Sequence, residues 1–382
     1  MNQLFPEQEQ LPDFFMRDPE GTTRANGGIL VPDPKEAHHR AQAHNTGVVG
    51  MLPFDPSAPS SLRVPLRWER SKNPSQNQTH CQNTKAYPPL PRPVRALGWD
   101  SPKYRDGVAQ VLAAIHSGVV EKVALARLLT LDYSVQASLN PAAILSNLLN
   151  QHPTAYVFAV RQEIPGHFVM GASPELVVSV QNGILHTHPL AGSAARVLGA
   201  DPALDMESGE SLMHSAKDRA EHAILVDDLA VRLRPLCHEL EVPSTPSLLA
   251  TPQLWHLGTR ISGRLRKDIN SLDVALAVHP TPAICGVPRD TAQDLISRAE
   301  PEPRGVFGGL VGWNDAAGNG RWALNLRSAA VSPRQARLFA GAGLVEGSTP
   351  EGEHQETSTK LSTFLAALDL RPEDVAELPT SR

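Results

Sequence analysis

Short apolar runs bounded by polar and turn-forming residues recur along the chain, and they predict its strands. The predicted strands span 119–133, 155–160, 176–180, 321–331 and 335–344. Helices are predicted between them at 104–117, 211–233, 272–277, 291–299 and 353–370. Strands and helices are interleaved without clean βαβ repetition, and this order indicates an α/β or α+β fold.

Proline is concentrated near the N-terminus, where 15 of the 34 prolines fall within the first 103 residues. Because proline breaks helices and interior strands, we expect mostly loops and short strands in this quarter of the chain. The polar, proline-rich stretch 71–93 predicts an exposed loop.

The composition is that of a globular protein, with 41% hydrophobic residues. The balance of 35 Lys and Arg against 40 Asp and Glu gives a net charge of −5, which argues against binding to nucleic acids or anionic membranes. We expect neither a membrane span nor a signal peptide, because no long apolar run is present. Cys81, Cys237 and Cys285 are far apart, which favours isolated thiols in a reducing cytoplasm.

Two predicted helices carry acidic pairs at a spacing of three, Asp218 with Glu221 and Glu353 with Glu356. Residues at this spacing share a helix face. Each pair alone is typical of a solvated surface, but together they could supply four carboxylates to one site. Oxygen donors of this kind suit octahedral Mg²⁺ better than zinc.

Lys122 lies inside an apolar run at 119–127. A lysine at a strand end usually reaches water, whereas burial disfavours its ammonium form and would let it act as a neutral base. Glu175 lies where a turn meets a predicted strand. It could cap a backbone amide, or it could act as an acid if burial raises its pKa.

Three other features also have two interpretations. The glycine-rich run 339–344 is too weak a signal for a dinucleotide site, although its amides could approach an anion. Arg327 could be a surface arginine or a carboxylate clamp. His256 is flanked by apolar residues, which is typical of a core histidine, and no histidine group shows zinc-ligand spacing.

Taken together, ten ordered strings resemble the chorismate-utilising enzymes, and within them the isochorismate synthases of catecholate siderophore pathways. The first two strings contain Lys122 and Glu175, and the resemblance covers roughly residues 13–370. The strings are EKVALARLLTL, GASPEL, PLAGSA, SAKDRAEH, TPQLWHLGT, HPTPAICG, FGGLVGW, LNLRSA, FAGAGLV and GEHQETSTKLSTFL.

The resemblance implies one domain over 1–382, with two large, mostly antiparallel sheets packed together, helices outside and a cleft beside the sheets. It also implies a reversible reaction in which water adds at C2 of chorismate while the C4 hydroxyl departs. Lys122 would be the base that activates water, and Glu175 the acid that protonates the leaving hydroxyl.

The remaining site residues also follow from the resemblance. Glu221 and Glu356 would hold Mg²⁺ directly, and Asp218 and Glu353 would reach it through waters. Arg327, Lys360 and the Gly341 amide would hold the enolpyruvyl carboxylate, and His256 would line the ring. The complete set of implied substrate-binding residues is Gly192, Ser193, His256, Ala283, Ile284, Arg327, Gly341 and Lys360.

Relatives that use ammonia typically carry Gln at the position of Lys122, so the resemblance implies a water-using enzyme without a glutamine amidotransferase subunit. We expect a monomer in the cytoplasm. Salicylate synthases share the Lys and the Glu but go on to eliminate pyruvate, and they tend to place Thr within the run matching 280–286. A catalytically silent chorismate-binding protein is the alternative from another class, although it would need neither acid nor base.

Overall fold

The computed structural model describes residues 11–72, 87–197, 202–250 and 254–380. Cys81 and residues 73–86 of the predicted loop lie outside this part. The described cysteines, Cys237 and Cys285, are free and buried. Contacts between α-carbons divide the chain into two compact units. Unit 1 comprises the described residues of Met1–Glu175, Ile284–Ala316 and Ala323–Arg382, and unit 2 comprises those of Leu176–Ala283 and Ala317–Trp322. The single domain over 1–382 stays a prediction.

The strands are short, apart from two long neighbouring strands near one edge of the largest sheet. The first eleven are β1 Phe14–Arg17, β2 Gly21–Asn26, β3 Ile29–Leu30, β4 Val48–Leu52, β5 Ser61–Val64, β6 Arg67–Lys72, β7 Arg95–Leu97, β8 Lys122–Asp132, β9 Tyr156–Arg161, β10 Phe168–Ser173 and β11 Leu176–Gln181. The others are β12 Ile184–Thr187, β13 Leu190–Ala195, β14 Cys237–Glu241, β15 Ser247–Ala250, β16 Leu254–Gly258, β17 Ile261–Leu265, β18 Gly286–Val287, β19 Leu310–Asn314, β20 Gly320–Leu324, β21 Ser328–Ser332 and β22 Gln335–Leu344.

The α-helices are α1 Pro34–Ala43, α2 Pro102–His116, α3 Pro141–Gln151, α4 Pro202–His214, α5 Ala216–Leu233, α6 Ser271–Val278, α7 Arg289–Ala299, α8 Pro350–Ala367 and α9 Pro372–Ala376, with a short 3-10 helix at Arg234–Leu236. No helix in the described ranges is long and apolar enough to cross a membrane.

Unit 1 is built on a ten-stranded sheet with the order β18-β8-β22-β21-β10-β9-β1-β2-β6, and β7 lies beside β8. The pairings along this order are antiparallel. β19, β4, β5 and β3 form a second antiparallel array in the same unit. The prediction of large antiparallel sheets with helices is therefore confirmed.

The ten-stranded sheet has apolar side chains on both faces, and both faces are covered. On one face, Phe14 and Phe158 pack with Met51 and Trp313 of the second array. On the other face, strand residues pack against helices α3 and α8, and buried Phe364 belongs to this cluster. This layered packing places α8 against β22, which also pairs with β8.

Unit 2 contains two smaller antiparallel groups of strands. β11, β12, β17 and β14 pair in succession, and β13, β16 and β15 form a three-stranded sheet. Leu212 of α4 packs against Trp255 and Leu257 of β16. Helix α5 contacts β13 and thereby places its acidic residues near this small sheet.

Two elements that were predicted to be continuous are interrupted in the structure. The predicted helix 211–233 is interrupted, because Ser215 has extended backbone geometry and caps α5. The predicted strand 321–331 is two strands, β20 and β21, because Arg327 adopts a left-handed conformation with φ of 49°. The glycine-rich run 339–344 lies entirely within β22, and its residues pair with β8.

A buried ion pair joins the segment after α7 to strand β8. The side chains of Arg304 and Glu300 are 3% and 5% exposed. Arg304 also donates to the carbonyl oxygens of Ala124 and Ile284, while Glu300 accepts from the Ala126 amide. The pair thus links three backbone segments on the side of the sheet where β8 begins.

We expect Arg304→Met to destabilise the protein by about 3–5 kcal/mol, because it leaves the Glu300 carboxylate buried without its partner. The double variant Arg304→Met with Glu300→Leu should recover much of that loss, since no unpaired charge remains. Urea unfolding of both variants measures the difference. A single variant as stable as the wild type would show that the ion pair contributes nothing.

Candidate active site

Lys122 is the first residue of β8, and it is only partly buried. Its backbone is fixed by pairing with Val287, and the Glu121 amide donates to the Val287 carbonyl. Gly343 of β22 leaves room for the lysine, because a Cβ atom there would lie 3.2 Å from Lys122 Cε. The strand therefore holds the stem of Lys122 at a defined place beside a glycine.

Glu175 lies between β10 and β11, where the backbone is fixed on both sides. Its carbonyl accepts from the Leu324 amide at 3.0 Å, and its own amide donates to the buried Ser173 hydroxyl at 3.3 Å. Burial raises the pKa of the Glu175 carboxyl to about 7, and the positive charge of Lys122 opposes this rise. The two side chains therefore lie within electrostatic range of each other.

This pairing has a simple chemical meaning. A carboxylic acid with a pKa near 7 is partly protonated at neutral pH and can donate a proton to a leaving group. A nearby lysine, in its neutral form, can accept a proton from water. The Lys122–Glu175 pair therefore has the residue types that general acid–base catalysis requires.

Helix α8 presents two carboxylates of the predicted metal site. Glu353 is buried, and its Oε2 has no hydrogen-bond partner among the residues that the structure describes, whereas Glu356 accepts from Lys360 Nζ at 2.7 Å. Burial raises the pKa of Glu353; a hydrogen bond with Ser348 opposes this rise, and the charge of Glu356 adds to it. Lys360 also donates to the Gly341 carbonyl at 2.8 Å, so the helix is tied to β22.

These features fit a divalent cation. A buried carboxylate oxygen without a partner, repelled by a second carboxylate three positions away, would gain from a positive ion. Across the ranges that the structure describes, no group of three or more His, Cys, Asp or Glu is clustered for metal binding. Mg²⁺ commonly uses one or two carboxylates together with water and substrate oxygens, so fewer protein ligands suffice.

The other acidic pair belongs to unit 2. Asp218 accepts a hydrogen bond from the hydroxyl of Ser215, the residue that caps α5, so it has a structural role at the helix start. Gly192 has φ of 77°, and a Cβ atom there would lie 3.1 Å from Asp218 Cβ. Glycine at this β-bulge therefore permits the approach of α5 to β13. Glu221 lies one turn further along α5.

His256 and Ser193 face each other across β13 and β16. Their side chains are joined by a hydrogen bond of 2.8 Å between Ser193 Oγ and His256 Nδ1. Burial lowers the pKa of His256, and the backbone of Gly192 partly opposes this shift. The imidazole is therefore neutral at neutral pH, and it is positioned by a serine that the sequence resemblance also assigned to the site. Ala283 is half-buried at the end of unit 2.

Arg327 projects from the turn between β20 and β21. The side chain is exposed, yet its surroundings desolvate it enough to lower its pKa. Buried Asn325 holds this turn by donating to the Val306 carbonyl at 2.7 Å. Ile284, in the segment before β18, is 6% exposed and its carbonyl is bound by Arg304. An arginine that is partly desolvated but still accessible suits recognition of a carboxylate.

Unit 1 thus contains Lys122 and Glu175 within electrostatic range of each other, and it places Glu356 and Lys360 in direct contact. Unit 2 places Ser193 against His256 and Gly192 against Asp218. The charged groups that sequence reasoning missed are the Arg304–Glu300 pair and Arg127, which lies in the same apolar run as Lys122. A charged residue inside an apolar strand was the available signal for Arg127.

Comparisons with known proteins agree with the motifs. A family model described as chorismate binding enzyme matches residues 61–369. The isochorismate synthase EntC of Escherichia coli (strain K12) is 39% identical over 326 residues, covering 85% of this chain and 82% of the relative. The isochorismate synthase DhbC of Bacillus subtilis (strain 168) is 40% identical, covering 93% of each chain.

Among solved structures, MenF, the menaquinone-specific isochorismate synthase from Escherichia coli, has a TM-score of 0.81 at 25% identity. The match covers 95% of this chain and 90% of that chain. The resemblance seen in the motifs and the expectation of an enzyme are thereby confirmed. The chain therefore belongs to the family of chorismate binding enzymes.

Proposed function

We propose that this protein is an isochorismate synthase that adds water at C2 of chorismate and releases the C4 hydroxyl. The observation that carries the proposal is the pair of Lys122 and Glu175, with the Glu175 pKa raised to about 7. The relatives named isochorismate synthase, which cover most of this chain, support the choice of reaction.

The proton balance of the reaction assigns a role to each group. Lys122, as a neutral amine, takes a proton from water while the water oxygen bonds to C2. The ring double bonds shift, the C4–O bond breaks, and Glu175 gives its proton to the departing hydroxyl. Water is consumed and water is released, so the net reaction is an isomerisation that needs no oxidant.

The remaining proposed residues bind the substrate. Arg327 and Lys360 are donors suited to the enolpyruvyl carboxylate, together with the Gly341 amide. Neutral His256, held by Ser193, would line the ring, with Gly192, Ala283 and Ile284 beside the substrate. We propose that Glu221 and Glu356 hold Mg²⁺ directly and that Asp218 and Glu353 reach it through waters. The cation, when bound, would neutralise the ring carboxylate and help to orient the substrate.

We further propose that the enzyme acts as a monomer in the cytoplasm and supplies isochorismate for a catecholate siderophore. The siderophore-type strings named above support this choice. The solved relative that is menaquinone-specific shares the fold at 25% identity. The alternative is therefore that the isochorismate is used for quinone synthesis.

Product analysis tests the proposed reaction. Purified protein is incubated with chorismate, with and without Mg²⁺, and the products are separated by chromatography. Isochorismate that forms only with Mg²⁺ is the expected result. Salicylate with pyruvate as the main products would identify a salicylate synthase instead, and chorismate binding without turnover would indicate a silent binding protein.

Glu356→Gln should raise the Mg²⁺ concentration needed for half-maximal activity, because an amide is a weaker ligand than a carboxylate. The matched control is Glu351→Gln, which removes a charge from the same helix at a side chain that is 74% exposed. The control should titrate with Mg²⁺ like the wild type. An unchanged Mg²⁺ titration of Glu356→Gln would remove this residue from the metal site.

A further inference from the structure

Arg127 lies in the middle of β8, on the strand that begins with Lys122, and it is 1% exposed. Its Nη1 atom donates to three acceptors on α8, namely the His354 carbonyl at 3.1 Å, Thr357 Oγ1 at 3.2 Å and Ser358 Oγ at 3.1 Å. A single guanidinium nitrogen therefore holds consecutive turns of one helix. Contacts to both backbone and side chains fix the rotation of α8 as well as its distance from the strand.

The charge of Arg127 is unusual for a buried side chain. Within the described ranges, no carboxylate pairs with it, and its Nε and Nη2 atoms have no hydrogen-bond partner. The centroid of the Trp99 ring lies 5.7 Å from Arg127 Cζ, and this cation–π contact partly compensates for the buried charge. Burial lowers the pKa of Arg127 to about 10, which reflects the cost of desolvating the charge.

The acceptors on α8 do not need Arg127 for their own satisfaction. Thr357 Oγ1 also bonds the Glu353 carbonyl at 3.0 Å, and Ser358 Oγ bonds the His354 carbonyl at 2.9 Å. Removing Arg127 would therefore leave no orphaned charge and few orphaned polar groups. A buried guanidinium without an ionic partner carries a desolvation cost, so a contribution to stability does not explain its presence.

The helix that Arg127 holds carries Glu353, Glu356 and Lys360, which flank its three contacts. We infer that Arg127 is a positioning residue that locks α8 to β8, so that the α8 ligands of the cation and substrate stay in register with Lys122. The inference rests on the proposed function for the meaning of those ligands. The mechanical part, that Arg127 immobilises α8, stands on the hydrogen bonds alone.

The test compares Arg127→Met with the wild type. Methionine is apolar and flexible enough to occupy the space, so the unfolding temperature should not fall. Amide hydrogen exchange in 353–360 should become faster. The Mg²⁺ midpoint for activity and the Kd for Mg²⁺ from calorimetry on the resting protein should each rise about tenfold, the usual effect of losing an outer-shell support. Arg127→Lys should give intermediate values, since it keeps a donor.

The control is Arg95→Met, which removes an arginine that pairs with Asp132 at the other end of β8. In the part of the chain that the structure describes, Arg95 has no hydrogen bond to α8. It should leave exchange in α8 and the Mg²⁺ midpoint unchanged. If Arg127→Met does not fold, Ser358→Ala decides the matter, because it removes one acceptor from α8 and should speed exchange in the same helix to a smaller extent.

If amide hydrogen exchange in α8 is as slow in Arg127→Met as in the wild type, the inference is overturned. A large fall in the unfolding temperature with unchanged Mg²⁺ affinity would also overturn it. These outcomes are separate from failure of the proposed function. That failure would appear as wild-type protein that makes no isochorismate, whatever the exchange rates of the variants.

Discussion

Replacing Lys122 by glutamine should lower kcat for chorismate by about 10²–10⁴-fold, the usual contribution of a general base. Glutamine can hydrogen-bond to water but cannot accept its proton. The backbone of residue 122 pairs with Val287 through main-chain atoms, and Gly343 leaves space for the shorter side chain. The fold should therefore persist, with circular dichroism and the unfolding temperature close to wild type.

The control for this variant is Lys103→Gln, at an exposed position near the start of α2. It makes the same chemical change without altering the site, and it should keep full activity. Initial rates by chromatography measure both variants at saturating chorismate and Mg²⁺. If Lys122→Gln keeps wild-type kcat, another group must deprotonate the water, and the proposed role of Lys122 is wrong.

Lys122 and β8 could be predicted because the strand is a long apolar run in which charge is conspicuous. The predicted strand 119–133 differs from β8 only at its ends. Helix α8 was also predictable, since Leu361, Phe364 and Leu365 recur at helical spacing and are all buried. The local sequence pattern is sufficient to predict an element that buries one continuous apolar face.

The errors arose where polar residues have local roles. Ser215 and Asp218 have the spacing of a capping box, which marks a new helix, whereas the spacing of Asp218 and Glu221 indicates only a solvated surface or a metal site. Asn325 and Arg327 interrupt the apolar pattern at 321–331 and form the turn there. At both breaks, the backbone conformation of a polar residue decides where the element ends.

The contacts of Arg127 and of Arg304 could not be predicted, because their partners are distant in sequence. Arg127 and the His354 carbonyl are 227 positions apart, and Arg304 and the Ala124 carbonyl are 180 apart. Such pairings follow from the order of strands in the sheet, which no local pattern specifies. The pKa of Glu175 depends on burial and on Lys122 in the same way.

Glu175→Gln should lower kcat by about 10²–10⁴-fold, because an amide cannot protonate the departing hydroxyl. The wild-type enzyme should also lose activity as the pH rises above about 7, since the active form of Glu175 is the protonated acid. The alkaline limb in the profile of kcat/KM against pH is therefore assigned to Glu175.

The variant gives a direct check of that assignment. Residual activity of Glu175→Gln should show no alkaline limb, whereas Glu163→Gln, at an exposed glutamate in the loop before β10, should keep both the limb and the rate. Rates are compared from about pH 6 to about pH 9 at fixed ionic strength. An alkaline limb that persists in Glu175→Gln would mean that a different group supplies the proton.

The pKa of Glu175 can also be measured without turnover, by carbon-13 NMR of the labelled carboxyl group. Because the charge of Lys122 lowers this pKa, Lys122→Gln should raise it above its wild-type value of about 7. Lys103→Gln should leave it unchanged. A Glu175 pKa that is identical in the wild type and in Lys122→Gln would show that the two groups do not interact, and the acid–base pair would then lose its physical basis.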